Sequence, residues 1–350
     1  MALATAEAPE LSSPGGPGGP HLTVLRDPYK PSPETSEGLF IAGDTEPRIK
    51  PDLIHGVVQV GDGTTRYSYQ PAGAENPLPG VIVGIVPGFG ARKFTSRVLR
   101  DAFEDRDVPS FTYDPVRKDG KGAKEHWNDP QLTHEETISA IVIDLANHVE
   151  INFTDTEPPE GSSSDNENEI EVVKNKLLLL PHSMGGPAAA RYAEHRQQTV
   201  DSVFFLECIG FGSPTLPQLA RNVPRKLLGS IKKEFLPFLR SGNIDIDPRY
   251  ILGMFDYILS APTRTAGEIK SCLTENIMDL VINLGHAGIQ TAYADGEHDI
   301  LVAVSEDATD GVVHLRQKIK GIGHLGPQAK PDRVARWVID THKELHGLAA

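Results

Sequence analysis

The sequence of 350 residues predicts an α/β fold with a mostly parallel, doubly wound sheet, on the basis of two observations. Short runs of consecutive apolar residues recur along the chain, for example at Val81–Val86 and Val203–Leu206. Strands have this composition when both of their faces are buried, as in parallel sheets. Segments with apolar residues at helical spacing, such as Thr137–Val149, separate these runs. Strands that alternate with helices imply a parallel sheet with helices on both faces.

The first predicted elements form an antiparallel hairpin. Residues Ile54–Val60 are rich in valine, and the turn Gly61–Gly63 follows them. Residues Thr65, Tyr67 and Tyr69 then occupy alternate positions, as expected of a strand. The later predicted elements are strands at Val81–Val86, Pro109–Tyr113, Val203–Leu206, Ile289–Ala294 and Val312–Leu315, with helices at Phe94–Arg106, Thr137–Val149 and Pro331–His346.

Two segments are too polar to join the core. Residues 1–37 are rich in Pro, Gly, Ser and Glu, and we expect a disordered tail there. Residues 155–171 carry seven acidic and no basic side chains, which predicts a solvated surface loop. A calcium site is the alternative, but the spacing lacks the glycine and the terminal glutamate of an EF-hand loop.

Residues 213–275 have the pattern of helices rather than of strands. Large apolar side chains recur there at helical spacing, with breaks near Pro224 and Pro237. We expect these helices to form a cap above the strand ends from which the segment emerges. The predicted organisation is a tail at 1–37, the first part of the core at 38–212, the cap at 213–275 and the second part of the core at 276–350.

Composition excludes several classes of partner. A net charge of −14 argues against nucleic acid and against an anionic membrane surface. No apolar stretch is as long as the about 18 residues that a membrane span requires, and no secretory signal is visible.

Cys208 and Cys272 lie in apolar surroundings and indicate buried thiols in a reducing compartment, so a cytoplasmic protein is expected. His55, His126, His134 and His286 lack metal-ligand spacing, and neither a metal nor a cofactor is predicted.

One stretch carries the strongest functional signal. The apolar run Lys176–Pro181 leads to Ser183, and an alanine-rich segment that favours helix follows. Ser183 would then lie on a sharp turn between strand and helix. The backbone N–H of Met184 would lie at the start of that helix, where the dipole favours anions. Such a place suits a nucleophile whose reaction creates an oxyanion.

The pattern resembles the nucleophile elbow G-x-S-x-G of the alpha/beta-hydrolase family, with Pro181 in place of the first glycine. Two further residues follow in the order of that family. Asp299 comes after the predicted strand that ends at Ala294, and His324 lies in a glycine-rich loop before the last helix. The resemblance extends from about residue 50 to the C-terminus and implies an alpha/beta-hydrolase fold with a helical cap.

The resemblance also implies a role for each residue. His324 would take the proton of Ser183, and Asp299 would orient the imidazole and stabilise its cation. The N–H groups of Met184 and Phe89 would bind the oxyanion, although Pro87 replaces a histidine that often precedes the loop glycine in the family.

Three other residues, Glu207, His182 and His298, are alternative candidates for the acid or the base. Glu207, at the end of its strand, is the alternative acid. His182 is interpreted as a packing residue beside the nucleophile. His298 lies on the same turn as Asp299, which is a poor position for bridging to Ser183.

The expected function is hydrolysis of a small or medium carboxylic ester through an acyl-serine intermediate, without a cofactor. Hydrolysis of a carbon–carbon bond or of an amide by the same triad is one alternative. A hydrolase-like ligand-binding protein without turnover is another, since fold alone does not fix function. The sequence leaves the acyl group, the leaving group and the oligomeric state open.

Overall fold

A computed structural model describes most of the predicted core. The described residues are 51–61, 63–88, 93–114, 130–149, 151–153, 174–212, 275–299, 304–324 and 326–348. The predicted tail, the acidic segment 155–171, all of the predicted cap 213–275 except Glu275, and Phe89 lie outside these residues. The predictions made for those segments therefore stay predictions.

The described residues form an eight-stranded sheet in the order β1-β2-β4-β3-β5-β6-β7-β8. Its strands are β1 (Ile54–Val60), β2 (Gly63–Gln70), β3 (Val81–Val86), β4 (Ser110–Tyr113), β5 (Lys176–Pro181), β6 (Val200–Leu206), β7 (Gln290–Gly296) and β8 (Leu315–Ile319). The pairs β1/β2 and β2/β4 are antiparallel, and all the other pairs are parallel. The predicted mostly parallel sheet is confirmed.

Helices cover both faces of this sheet. They are α1 (Lys93–Glu104), α2 (Pro130–His148), α3 (Gly185–His195), α4 (Met278–His286), α5 (Gly326–Ala329) and α6 (Pro331–Leu345). Side chains of α2, α3 and α4 pack in one apolar cluster, and side chains of α1 and α6 pack in a second. Along β5, Leu177 and Leu179 belong to the first cluster, whereas Leu178 and Leu180 belong to the second. This alternation explains the uninterrupted run of leucines, because both faces of the strand are buried.

The last strand was predicted in the wrong place. Val312, Val313 and His314 precede β8, and the N–H of Val312 donates to the Thr309 carbonyl in a turn. The strand itself has the sequence Leu-Arg-Gln-Lys-Ile and is only partly buried. It lies at the edge of the sheet, so it tolerates polar side chains that hide its strand pattern. Helix α4 was not predicted, and α2 begins earlier than expected.

Candidate active site

Ser183 occupies the turn between β5 and α3. Its φ is +53°, a left-handed conformation that costs a non-glycine residue on the order of 1 kcal/mol or more. The turn is held in place because the Ser183 N–H donates to the Leu206 carbonyl at 3.1 Å. The two glycines that follow permit close packing. A Cβ on Gly185 would lie 2.8 Å from the Val86 carbonyl oxygen, and one on Gly186 would lie 2.9 Å from the Cβ of Cys208.

The structure brings Ser183, His324 and Asp299 together. The Nε2 atom of His324 lies 3.1 Å from Ser183 Oγ. Its Nδ1 atom lies 3.2 Å from Asp299 Oδ2 on the other side of the ring. The three side chains, each at most slightly exposed, thus form one continuous chain of hydrogen-bond contacts. This is the geometry that base-assisted attack by a serine hydroxyl needs.

Hydrogen bonds between two loops set the distance from Asp299 to His324. The N–H of His298 donates to the Ile322 carbonyl at 2.8 Å, and the Gly321 N–H donates to the Glu297 carboxylate at 2.9 Å. The loops after β7 and β8 therefore support each other. The imidazole of His298 is 64% exposed and takes no part in the contact with Ser183, as expected from its position on the turn.

Met184 directly precedes α3, so its backbone lies at the N-terminus of that helix. Phe89, the second predicted oxyanion donor, lies outside the described residues. The residue before it, Gly88, packs tightly against the nucleophile. A Cβ on Gly88 would lie 2.9 Å from the His182 carbonyl oxygen and 3.0 Å from Ser183 Cβ. The chain therefore passes beside Ser183 at Gly88, just after β3 ends.

His182 contacts the loop that carries His324. Its Nε2–H donates to the His324 carbonyl at 3.0 Å, and the two imidazole rings are 5.0 Å apart. Burial, together with the neighbouring His324, lowers the pKa of His182 to about 3. His182 is therefore neutral at physiological pH and has a fixed tautomer. This bond positions the histidine of the site, a role beyond the packing that the sequence suggested.

We expect this buried, neutral His182 to make folding pH-dependent. The pKa of a free histidine is about 6.5, so the unfolded state binds a proton below that pH, whereas the folded state binds one only near pH 3. The stability present above pH 6.5 is thus lost as the pH falls. Between pH 7.5 and pH 5, His182 should contribute a loss of about 2 kcal/mol. Urea unfolding at both pH values measures it.

The matched variant for this prediction is His182→Gln, which cannot titrate but whose amide can still donate to the His324 carbonyl. The wild-type protein should lose about 2 kcal/mol more unfolding free energy between pH 7.5 and pH 5 than this variant does. Equal losses in the two proteins would mean that His182 is not the buried neutral group.

Glu207 follows β6 and is fully buried. Its φ is +52°, and its Oε1 accepts the Gly296 N–H at 3.0 Å. Its Oε2 lies 3.5 Å from His182 Nε2 and 3.7 Å from His324 Nδ1. Two carboxylates therefore approach the same nitrogen of His324. The distances favour Asp299 as its hydrogen-bond partner, in agreement with the choice made from the sequence.

The donor atoms of His182, Glu207 and His324 lie within 4.8 Å of one another, which raises the question of a metal site. The ring nitrogens concerned already have partners, because His182 Nε2 donates to a carbonyl and His324 Nδ1 contacts Asp299. Hydrogen bonding accounts for this cluster without a metal.

No protein-family model and no curated protein sequence matches the chain. Solved structures do match it. A bromoperoxidase from Bacillus anthracis is 14% identical with a TM-score of 0.54, over 83% of this chain and 99% of its own. A putative lipase from Acinetobacter baumannii AYE is 14% identical with a TM-score of 0.55, over 84% and 92%. Like these proteins, the chain has the alpha/beta-hydrolase fold.

A thermophilic esterase from Thermogutta terrifontis is also similar, with 16% identity and a TM-score of 0.50 over 85% of this chain and 100% of that one. At sequence identities of 14–16%, the similarity to these structures shows the fold alone. The alpha/beta-hydrolase fold confirms the resemblance recognised in the sequence, although Pro181 replaces the first glycine of the elbow. Within the part of the chain that the structure describes, no helix combines the length and hydropathy needed to cross a membrane.

Proposed function

We propose that the protein is a serine hydrolase that cleaves a carboxylic ester through an acyl-Ser183 intermediate. The observation that carries this proposal is the unbroken contact chain from Ser183 Oγ through His324 to Asp299. It lies where open α/β sheets place their sites, beyond the carboxyl ends of β5, β7 and β8. Among the similar structures, one is described as a putative lipase and one as an esterase, which supports ester hydrolysis as the reaction class.

In the first half of the reaction, Ser183 Oγ attacks the ester carbonyl carbon while its proton moves to His324 Nε2. The carbonyl oxygen becomes an oxyanion, for which the N–H groups of Met184 and Phe89 are the proposed donors. Asp299 stabilises the imidazolium that forms. Collapse of the intermediate breaks the bond to the alcohol, which leaves with the proton from His324.

In the second half, His324 accepts a proton from water as the water oxygen attacks the acyl carbon. The bond to Ser183 Oγ then breaks, and the serine recovers its proton from His324. The carboxylic acid is released and the enzyme is restored. Every proton transfer uses the same imidazole nitrogen, which is the one that contacts Ser183 Oγ.

We further propose that the substrates are small or medium esters. The segment predicted to form a helical cap, 213–275, lies between β6 and β7, and the described residues on its two sides meet beyond the end of β6, where the Ile277 N–H donates to the Gly210 carbonyl at 3.0 Å. An apolar cap at this point would roof a pocket over Ser183. Each buried CH₂ would then add about 0.8 kcal/mol until the pocket is full.

We therefore expect kcat/KM on p-nitrophenyl esters to rise from the acetate to a short or medium acyl chain and then to fall. The rise should be roughly fourfold per carbon. Initial rates over a graded series of esters measure it. Efficient cleavage of emulsified long-chain triglyceride would contradict a closed pocket.

Steady turnover separates this proposal from a non-catalytic binding protein, which would release at most one equivalent of p-nitrophenol. If esters of every length are inert, anilides of the same acyl groups test the amide alternative, because the same triad could cleave them. Inactivity on both classes would contradict the proposed hydrolase.

A further inference from the structure

A second cluster of histidine and carboxylate side chains lies far from Ser183. Asp201 is near the start of β6, whereas Glu207 follows the end of that strand. At about 3.3 Å per residue, the two positions are about 20 Å apart along the strand. His342 lies in the last turn of α6, and His346 follows one turn later. Residues four apart share one face of a helix, so both imidazoles can approach the same carboxylate.

The three side chains converge on one point. Asp201 Oδ2 lies 3.1 Å from His342 Nε2 and 3.1 Å from His346 Nε2. The imidazole rings are stacked, with their centroids 4.2 Å apart. One ligand atom from each residue lies within 4.8 Å of the other two.

These separations fit a small metal ion. Zinc binds imidazole nitrogen at about 2.0–2.1 Å and carboxylate oxygen at about 2.0–2.2 Å, so two tetrahedral ligand atoms are about 3.3–3.4 Å apart. The two nitrogen–oxygen distances in the cluster are 3.1 Å, close to this separation, and the stacked imidazole rings would have to turn toward the ion on binding. Two imidazoles and one carboxylate form a ligand set that suits zinc, cobalt, nickel and copper.

The cluster is open to solvent on one side. Nε2–H of His342 donates to Asp201 Oδ2 at 3.1 Å, so binding of a metal through Nε2 requires this proton to move to Nδ1, which has no hydrogen-bond partner among the described residues. The side chain of His342 is 6% exposed and that of His346 is 29% exposed. Water or another ligand could therefore complete the coordination from solvent.

We propose that Asp201, His342 and His346 form a binding site for a divalent transition metal, with Zn²⁺ as the expected ion. Such an ion would connect the end of α6 to β6, two elements that are distant in sequence. The histidine pair is visible in the sequence as His342-x-x-x-His346. The carboxylate is not, because 141 residues separate Asp201 from His342. The proposal does not depend on the hydrolase function.

Zinc titration of the chelator-treated, full-length protein by isothermal calorimetry at pH 7.5 tests the site. We expect Zn²⁺ binding in the wild-type protein and an increase of several degrees in Tm at saturation. His346→Ala and Asp201→Asn should each weaken the binding at least about tenfold, because each removes one of three ligands. Visible absorption of bound Co²⁺ reports the coordination and should be lost in the same variants.

Two control variants should keep the binding. His195→Ala removes an exposed histidine that pairs with Glu135 at 2.6 Å. His324→Ala disrupts the other histidine and carboxylate cluster, at the candidate active site. Failure to bind Zn²⁺ below about 1 mM would overturn the proposal, as would binding that survives His346→Ala or binding that His324→Ala abolishes. His346 is partly exposed, so its variant keeps the test valid even if Asp201→Asn does not fold.

Discussion

Ser183→Ala is expected to lower kcat/KM on p-nitrophenyl esters by at least about a thousandfold, or about 4 kcal/mol of transition-state stabilisation. The variant lacks the oxygen that lies 3.1 Å from His324 Nε2 and would form the acyl-enzyme. Steady-state rates measure the loss. Ser305→Ala is the control, because Ser305 is an exposed serine before the short helix Glu306–Ala308. A Ser183→Ala protein that keeps more than about a tenth of the wild-type kcat/KM would exclude Ser183 as the nucleophile.

The backbone of Ser183 makes a second readout available. Its φ of +53° is strained for serine but not for glycine. Ser183→Gly removes the same hydroxyl and relieves this strain, so it should be as inactive as Ser183→Ala and more stable by about 1 kcal/mol. Urea unfolding of the two variants measures the difference. A Ser183→Gly protein that is inactive but more stable than Ser183→Ala would show that the left-handed backbone of the turn, which holds the Ser183 hydroxyl in the site, lowers the stability of the fold.

The central strands of the sheet could be predicted because they are buried on both faces. In β3, in β5 and in the second half of β6, Val203–Leu206, helices cover each side of the sheet, so the sequence records the burial as apolar runs. Strand β8 lacks this signal because it lies at the edge and carries Arg316 and Lys318. The error in the position of β8 does not change the prediction of His324 as a site residue, because that prediction depends on the glycine-rich loop before the last helix and not on the bounds of the strand.

The order of the nucleophile, the acid and the base along the chain could be predicted from the sequence, but the distances between their side chains could not. Strands β6 and β7 are neighbours in the sheet, so Glu207 and Asp299 both emerge beside the His324 loop. Sequence order does not tell which carboxylate is nearer to Nδ1. The positioning role of His182 was equally hidden, because its partner is a backbone carbonyl 142 residues away. Contacts of this kind depend on loop conformation, which a single sequence specifies only weakly.

Asp299→Asn is expected to lower kcat by about a thousandfold or more, because a carboxamide can present an N–H to His324 Nδ1. That contact would favour the tautomer with its proton on Nε2, which cannot accept the proton of Ser183. Glu207→Gln should cost no more than about tenfold, or about 1.4 kcal/mol. Its Oε2 lies 3.7 Å from Nδ1, beyond hydrogen-bond distance, and the glutamine oxygen can still accept the Gly296 N–H.

The comparison of these two isosteric variants identifies the acid of the triad. Each removes one carboxylate beside the same nitrogen, so a general loss of charge near His324 would affect both to a similar extent. Selection of the tautomer by a direct contact, at 3.2 Å for Asp299, affects only one of them. Thermal unfolding of both proteins controls for misfolding, since Glu207 is fully buried. A larger kcat loss in Glu207→Gln than in Asp299→Asn, with both proteins folded, would place the acid after β6 instead of β7.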